Sequence, residues 1–286
     1  MPSMKAIKRR ISSVNSTQQI MKAMDLVAAA KLQKAKERLD YVRPLYSNIK
    51  TVMDGIHASS GDINNVYIEK REVKDIAYLL ITSDRGLCGG YNINVAKEAI
   101  SFINSNAGKN EKIITVGSKG WEYLRRRGKN ILQRYSSASE LTPYEDAVRI
   151  GALLNSMYTS GEVDEVYVIY THFDSILAHE PRVERLLPVG ASAGADAVDD
   201  GELMDYEPDI ETFMTFAIPM YLNTFIYGAM VESAVCEQAS RMTSMDSATR
   251  NAEEIIDDLT LTFNRIRQGA ITQEITEIVS GAKNLR

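Results

Sequence analysis

A seven-residue repeat of apolar side chains runs from Ile7 to Ile56 and limits the folds that are open to the chain. Such a 3.5-residue period keeps one stripe of a helix facing one partner helix, which is the pattern of a coiled coil. Gln18 and Asp25 are its strongly polar members, and Pro44, inside the run, is expected to bend the helix. The seam consists of Ile7, Ile11, Val14, Gln18, Met21, Asp25, Ala28, Leu32, Ala35, Leu39, Val42, Tyr46, Ile49, Met53 and Ile56.

A second seam of the same kind lies near the other end of the chain. Helix-forming residues predict a helix from Met220 to Val279, with an irregular start at Pro208 and Pro219 and an end at Gly281. A homodimeric coiled coil would need only one such helix, so two seams favour a pair formed within one chain. The positions of this second seam are Thr249, Ala252, Ile256, Leu259, Phe263, Ile266 and Ala270.

The lengths of these helices predict a projecting antiparallel pair. A compact globule of this size is about 50 Å across, whereas each helix is at least about 80 Å long. If the helices run antiparallel, facing residues have numbers that sum to about 267, which places Met24 opposite about residue 243. Residues after about 265 then have no internal partner, although Ile271, Ile275 and Ile278 keep this end apolar. An exposed apolar stripe of this kind predicts a surrounding partner protein.

The middle of the chain, from about Lys70 to Pro188, has a different pattern of apolar residues. Apolar runs at 76–82, 112–117 and 165–170 have the length of buried strands, and helical stretches at 94–104, 119–127 and 144–158 separate them. This alternation predicts a Rossmann-like α/β domain with a mostly parallel sheet. Residues 183–189, between Pro181 and Pro188, are a candidate edge strand. The predicted segments are therefore a helix at 1–60, an α/β domain at 70–190, an acidic linker at 191–208 and a helix at 209–286.

Charge and cysteine content exclude several classes of protein. Residues 1–50 carry eleven basic and three acidic side chains, whereas residues 190–211 carry eight acidic and no basic ones. A basic helix is typical of a nucleic-acid or membrane surface, but the net charge is −5 and no aromatic residues interleave the basic ones. We therefore expect no nucleic-acid partner.

Two cysteines cannot form a disulfide framework, and no uncharged run is long enough to predict direct membrane insertion.

Four groups of residues are candidates for a chemical site. Residues 83–92 follow a predicted strand and precede a helix, where phosphate binds in doubly wound sheets, but their glycines match neither the dinucleotide nor the P-loop pattern. Cys88 in this loop could be a reactive thiol, with a buried structural thiol as the alternative. His172, Asp174 and His179 match no common zinc spacing. Glu253, Glu254, Asp257 and Asp258 resemble paired carboxylates but suit the solvated face of a coiled-coil helix. We therefore expect neither a cofactor nor a catalytic residue.

Three segments closely resemble the gamma subunit of F-type ATP synthase, in the order in which that family carries them. They are residues 20–29 (IMKAMDLVAA), residues 83–92 (SDRGLCGGYN) and residues 266–282 (IRQGAITQEITEIVSGA). The resemblance covers essentially the whole chain, and the C-terminal segment is highly specific.

The resemblance implies a non-catalytic rotor. In this family an antiparallel coiled coil stands inside a hexamer of alternating alpha and beta subunits, and an α/β foot contacts the epsilon subunit and the c ring. The chain would couple proton-driven rotation of the c ring to ATP synthesis or hydrolysis. No cysteine pair of the chloroplast type is present and no transit peptide is evident, so the resemblance favours a bacterial protein on the cytoplasmic face of the cell membrane.

The resemblance also implies roles for individual residues. Met24 corresponds to a family methionine near the beta-subunit contact. Hexamer contact or coupling is expected at Arg241, Gln268, Thr272 and Glu274. Tyr206 and Glu207 resemble the part of the foot that lies near epsilon and the c ring.

Overall fold

The computed structural model describes residues 3–59, 65–68, 71–136, 143–190 and 210–283. Five helices and five strands follow one another along these residues. In chain order they are α1 (Met4–Ser59), β1 (Asp75–Ile81), α2 (Tyr91–Ser105), β2 (Asn110–Val116), α3 (Ser118–Arg125), β3 (Ile131–Tyr135), α4 (Tyr144–Thr159), β4 (Glu165–Phe173), β5 (His179–Leu187) and α5 (Ile210–Lys283).

The chain divides into two compact units. Unit 1 contains residues 1–28 and 242–286, and unit 2 contains residues 29–241. The boundaries fall inside α1 and inside α5, so each of these helices contributes to both units.

In unit 1 the start of α1 packs against the second part of α5. Every predicted seam position of α1 in this unit, from Ile7 to Ala28, is buried or half-buried. The α5 positions from Thr249 to Ala270 are likewise buried or half-buried. Gln18 donates from Nε2 to the carbonyl of Thr249 at 3.5 Å, which agrees with the antiparallel register expected from the sequence. The predicted coiled coil is therefore confirmed.

In unit 2 a five-stranded sheet has the strand order β3-β2-β1-β4-β5. The pairs β1–β2, β1–β4 and β2–β3 are parallel, whereas β4–β5 is antiparallel. The mostly parallel sheet is thus confirmed, and the predicted edge strand is present as β5, which the structure shows to be antiparallel to β4. This strand begins earlier than predicted, at His179, and Pro181 is tolerated because β5 lies at the edge of the sheet.

Helices cover both faces of this sheet. On one face Val95, Ala99 and Leu124 of α2 and α3 pack against Tyr78 and Leu80 of β1. The other face is covered by α4, by the first part of α5 and by the end of α1. Their buried contacts on that face include Tyr46, Ile49, Met53, Ile150, Leu154, Ile218, Phe225 and Ile226. Unit 2 therefore uses the two terminal helices as part of its own core.

The structure differs from the sequence prediction at three further places. Strand β3 was not predicted, because its five residues lie at the sheet edge and form no buried apolar run. Helix α5 begins at Ile210, well before Met220, and includes Pro219. Burial of Met214 and Ile218 beside this proline offsets the cost of about 3 kcal/mol for an interior proline. Finally, Gly281 does not end α5, which continues to Lys283.

One helix satisfies the length and composition of a membrane span. It is the described part of α5, and 61% of its apolar window is buried within the protein. Packing against protein accounts for that apolar composition, as in the core helix of a folded domain.

Candidate functional site

The last described turns of α5 form an exposed surface that we call the C-terminal tip, residues 268–280. Apart from the half-buried Ala270, every side chain from Gln268 to Ser280 is exposed. The exposed residues include Ile271 (47%), Ile275 (56%), Ile278 (72%) and Val279 (54%). Four large apolar side chains on consecutive turns form a larger exposed stripe than a free helix normally carries. This tip therefore has the composition of a surface that another protein covers.

Three of the predicted coupling residues lie on this tip. Gln268, Thr272 and Glu274 are all exposed. Thr272 donates from its hydroxyl to the carbonyl of Gln268 at 2.9 Å, a local bond that leaves the side chains of Gln268 and Glu274 accessible. The spacing of four residues places Gln268 and Thr272 on the same side of α5. The structure therefore places all three residues on the tip, with Gln268 and Thr272 on one side of the helix.

Met24 lies in the part of α1 that belongs to unit 1. Its side chain is half-buried, whereas Ile20 (60%), Leu26 (72%) and Val27 (52%) are exposed beside it. These three side chains lie outside the seam, so the coiled coil does not cover them. Met24 thus borders a second exposed apolar surface on unit 1.

Arg241 differs from the other predicted residues because it is buried, with 8% exposure. It donates to the Glu237 carboxylate at 2.6 Å, one turn earlier on α5, and to the carbonyl of Gly86 at 3.3 Å. Ser240 also donates to this loop, from its hydroxyl to the Cys88 carbonyl at 2.7 Å. Two adjacent residues of α5 therefore bind the loop that follows β1.

The loop from Ser83 to Asn92 is held by its own side chains as well. The Asn92 carboxamide accepts from the Ser83 amide at 3.0 Å and donates to the Ser83 hydroxyl at 2.8 Å. Asp84 accepts from the Ser118 amide at 2.8 Å, across from the start of α3. Leu87 and Gly89 have positive φ angles of 62° and 53°, which brings the loop backbone up to α5. The carbonyls of Gly86 and Cys88 accept hydrogen bonds from α5, so this loop packs against that helix and holds it.

Burial also decides the chemistry of the titratable groups near this loop. The Cys88 thiol is 2% exposed, and burial raises its pKa, which disfavours the thiolate that a nucleophile needs. Burial likewise raises the pKa of Glu237, although the neighbouring Arg241 partly opposes the shift. The structure therefore favours a buried structural thiol over a reactive one.

A polar cluster centred on Glu232 was not predicted from the sequence. This α5 side chain is fully buried and accepts from Arg43 at 2.5 Å and from the Tyr46 hydroxyl at 3.2 Å, both on α1. Arg43 also donates to the carbonyl of Phe173, at the end of β4, at 2.7 Å. Burial and the nearby Glu232 raise the pKa of Tyr46 to about 12, so its hydroxyl stays protonated and can donate. The cluster joins α1, α5 and the sheet within unit 2, and its only signal in the sequence was a carboxylate in an apolar helical run.

The other candidate groups have structural explanations. His172 lies with Nδ1 3.0 Å from Glu232 Oε1 and Nε2 3.3 Å from Asp174 Oδ1, at the edge of the same cluster. Among the described residues, no group of three His, Cys, Asp or Glu side chains is arranged to hold a metal ion. Glu253, Glu254, Asp257 and Asp258 are all exposed, as expected for the outer face of α5. Tyr206 and Glu207 lie outside the described residues.

Comparisons with known proteins agree with this architecture over the whole chain. A family model described as ATP synthase matches residues 3–285. The chain is 43% identical to the ATP synthase gamma chain of Alkaliphilus metalliredigens, over 99% of each chain. It is 42% identical to the sodium-ion-specific ATP synthase gamma chain of Acetobacterium woodii, over 98% of this chain and 97% of that one.

A solved structure shows the same fold. A chain of the Euglena gracilis mitochondrial ATP synthase, in an assembly of OSCP, F1 and c ring, aligns with a TM-score of 0.74 at 16% identity. The alignment covers 99% of this chain and 94% of that one.

The fold and the full-length matches define a subunit of a membrane-bound ATP synthase. More specifically, the chain belongs to the ATP synthase gamma chain family.

Proposed function

We propose that the chain is the central shaft of an F-type ATP synthase and couples ion-driven rotation of a c ring to ATP synthesis or hydrolysis. Its partners are a hexamer of alpha and beta subunits around the coiled coil, with an epsilon subunit and the c ring at the α/β domain. The chain has no catalytic role of its own and sits at the cytoplasmic face of a bacterial cell membrane. The observation that carries this proposal is the exposed apolar C-terminal tip, which extends the helix pair and needs a surrounding protein.

The physical role of a shaft is to make identical sites unequal. Chemically identical catalytic sites can differ in conformation only if something asymmetric contacts each of them differently. Shifting a site from almost empty to almost full occupancy of one conformation needs about 5.5 kcal/mol of differential contact energy. A single helix pair in a ring of three sites supplies such contacts in turn as it rotates.

We assign contact with the hexamer to Met24, Gln268, Thr272 and Glu274. All but Met24 are exposed on the tip, and Met24 borders the exposed Ile20, Leu26 and Val27. Arg241 has a different part in this proposal. Because it is buried between Glu237 and Gly86, it supports coupling by holding the loop after β1 in place. Tyr206 and Glu207 remain the predicted contacts of the foot.

Unit 2 presents a surface suited to partners at the foot. An apolar cleft of about 500 Å³ lies between the end of α1 and the start of α5, with Leu45, Val52, Phe216 and Met220 among its lining residues. Phe216 is 75% exposed and Met220 is 56% exposed. Apolar surface of this kind supports the assignment of partner contacts to this part of the chain.

Co-expression with alpha, beta and epsilon subunits tests the proposal. The chain is expected to co-purify with them in a fixed stoichiometry and to hydrolyse no ATP when isolated. ATP turnover by the isolated chain, or failure to assemble with alpha and beta subunits, would contradict the proposal.

A triple variant tests the residue assignment. Gln268→Ala, Thr272→Ala and Glu274→Ala together should leave assembly intact but lower the number of ions pumped per ATP hydrolysed. Glu253→Ala, Asp257→Ala and Asp258→Ala, on the exposed outer face of the same helix, form the matched control. Equal pumping ratios in the two triple variants would exclude the assignment.

A further inference from the structure

The surface around the end of α3 carries more positive charge than its neighbouring carboxylates neutralise. Lys119 lies 3.2 Å from Glu122, and Lys129 lies 2.6 Å from Glu111. For Arg125, Arg126 and Arg127, no carboxylate of the described residues lies within the 4.0 Å of an ion pair. All three arginines are exposed. Three adjacent cations without an internal counter-ion attract an anionic partner.

Aromatic rings hold two of these guanidinium groups in place. The Arg127 guanidinium lies 3.5 Å from the centroid of the Tyr123 ring and donates to the Tyr123 carbonyl at 3.2 Å. The Arg125 guanidinium lies 4.9 Å from the centroid of Trp121. Stacking of this kind restricts the side chain before a ligand arrives, which reduces the entropy lost on binding.

A concave site lies beside these arginines. A cleft of about 490 Å³ opens between the first turn of α2 and α3. Lys119, Arg126 and Arg127 supply its cations, and Glu122, which pairs with Lys119, is the one carboxylate among its described lining residues, so two arginines are left to bind an anion. Asn92 and Tyr123 add polar and aromatic surface. Ile93 also lines it and is 48% exposed. We call this site the cationic cleft; it combines charge with accessible apolar surface.

We propose that the cationic cleft binds a carboxylate-bearing, partly apolar segment of a neighbouring polypeptide. Guanidinium groups pair with carboxylates through two parallel hydrogen bonds, and Ile93 offers an apolar contact beside them. This inference rests on the proposed function in one respect, since the neighbour is sought in the assembled ATP synthase.

The geometry favours a polypeptide over the other anionic partners. A planar membrane surface touches the rim of a concave cleft but does not enter it, and membrane-surface helices insert exposed aromatic side chains. Here arginines cover the aromatic rings, since the guanidinium groups of Arg125 and Arg134 lie 4.9 and 5.2 Å from the centroid of the Trp121 ring. Single-stranded nucleic acids need free aromatic faces on which their bases stack. A side chain from a polypeptide fits the cleft without displacing these contacts.

A photo-crosslinker tests the proposal in the membrane-bound holoenzyme. Ile93→p-benzoylphenylalanine places the probe in the cleft, and mass spectrometry identifies the product. We expect a cross-link to one segment that contains aspartate or glutamate. Arg126→Glu with Arg127→Glu should lower its yield by about tenfold, as the loss of roughly 1.4 kcal/mol implies. Lys74→Glu with Lys109→Glu, which reverses two exposed cations just before β1 and β2 that do not line the cleft, should change the yield by less than about twofold.

Several results would overturn the inference. These are a cross-link to lipid or nucleic acid alone, a cross-linked segment without carboxylates, no cross-link, or equal losses in the two charge-reversal variants. Arg126→Lys with Arg127→Lys keeps the positive charge and should retain the cross-link. If it does, the loss of cross-link in the glutamate variant reflects the lost charge and not a folding defect caused by any substitution at these positions. Co-purification of alpha and beta subunits with the probe-bearing chain is scored separately. An assembled enzyme without the cross-link rejects only the cationic cleft, whereas a failure to assemble rejects the proposed function.

Discussion

At the scale of single residues, the buried carboxylates of α5 matter more for the fold than the exposed ones. Glu232 is fully buried and accepts hydrogen bonds from Arg43 and Tyr46. Glu237, at 2% exposure, pairs with Arg241. A buried carboxylate whose partners are in place costs little, but removing one member leaves the other without a counter-ion. These residues therefore fix how α5 sits against the rest of unit 2.

Replacing Glu232 by alanine should lower the free energy of unfolding by about 3 kcal/mol, because Arg43 and Tyr46 lose their common acceptor. Denaturant titration measures the change. Glu254→Ala, at an exposed position of the same helix, is the control and should change stability by less than about 0.5 kcal/mol. Equal losses in the two variants would show that the Glu232 cluster contributes nothing specific.

The raised pKa of Glu237 predicts a pH dependence with a definite sign. Burial makes the folded chain bind this proton more tightly than the unfolded chain does, whose carboxyl titrates near 4.5. The wild type should therefore gain stability relative to Glu237→Gln as the pH falls from about 8 toward about 5. Unfolding titrations of both proteins across this range provide the measurement. A difference that stays constant, or that shrinks as the pH falls, would contradict the assigned cause.

At the scale of elements, the approach of α1 to α5 in unit 2 depends on a missing side chain. A Cβ atom on Gly228 would lie 2.4 Å from the Tyr46 ring, closer than any real contact allows. Tyr46 in turn packs edge-on against Phe225, with ring centroids 5.7 Å apart. A glycine at position 228 lets Tyr46 reach both Phe225 and Glu232.

Two glycines of α5 should therefore respond to the same substitution with opposite sign. Gly228→Ala forces Tyr46 away and should lower the free energy of unfolding by about 1–3 kcal/mol. Gly269→Ala meets no atom within 4 Å and should raise helix stability by about 0.5–1 kcal/mol. Thermal unfolding of the two variants measures both changes in stability. A stabilised Gly228→Ala protein would be incompatible with the described packing.

The elements that could be predicted from the sequence are those whose burial follows a simple period. The seam of α1 is an example, since every one of its positions from Ile7 to Met53 is buried or half-buried. The buried strands β1, β2 and β4 were predictable for the same reason. β3 was not, because Leu132, Gln133 and Arg134 are exposed at the sheet edge. The Glu232 cluster depends on contacts between residues 43, 173 and 232, and no local pattern encodes such distant pairs.

One part of the candidate site could be predicted from the sequence, and another could not. The exposed tip follows from helix length alone, because in the antiparallel register the residues of α5 after about 265 have no facing residue on α1. The buried position of Arg241 does not, since it depends on a loop more than 150 residues earlier, whose Gly86 carbonyl accepts its hydrogen bond.

At the scale of the whole molecule, unit 1 has two surfaces suited to a partner, one near the start of α1 and one near the end of α5. Arg9 and Arg10 are exposed at the start of α1, and the apolar tip closes α5. Attraction between exposed charges is weak and screened by salt, and therefore suits a contact that must be made and released.

Reversing the charge of Arg9 and Arg10 should lower coupling more than it lowers assembly. The double variant Arg9→Glu with Arg10→Glu is expected to pump fewer ions for each ATP hydrolysed, while its alpha and beta subunits still co-purify. Measurement of pumping and hydrolysis on the same vesicles gives the ratio, with Lys97→Glu with Lys109→Glu as the charge-matched control. An unchanged ratio would remove these two arginines from the coupling surface.

The bare apolar tip has a consequence for the life of the chain before it assembles. Ile271, Ile275, Ile278 and Val279 are exposed on a solitary chain, and hydrophobic surface of that extent promotes self-association. A cell that made more of this subunit than of its partners would accumulate aggregates or degrade the surplus. Because of this exposed helix end, assembly of the complex requires that the subunits be made in matched amounts, or that a partner bind each newly made chain early.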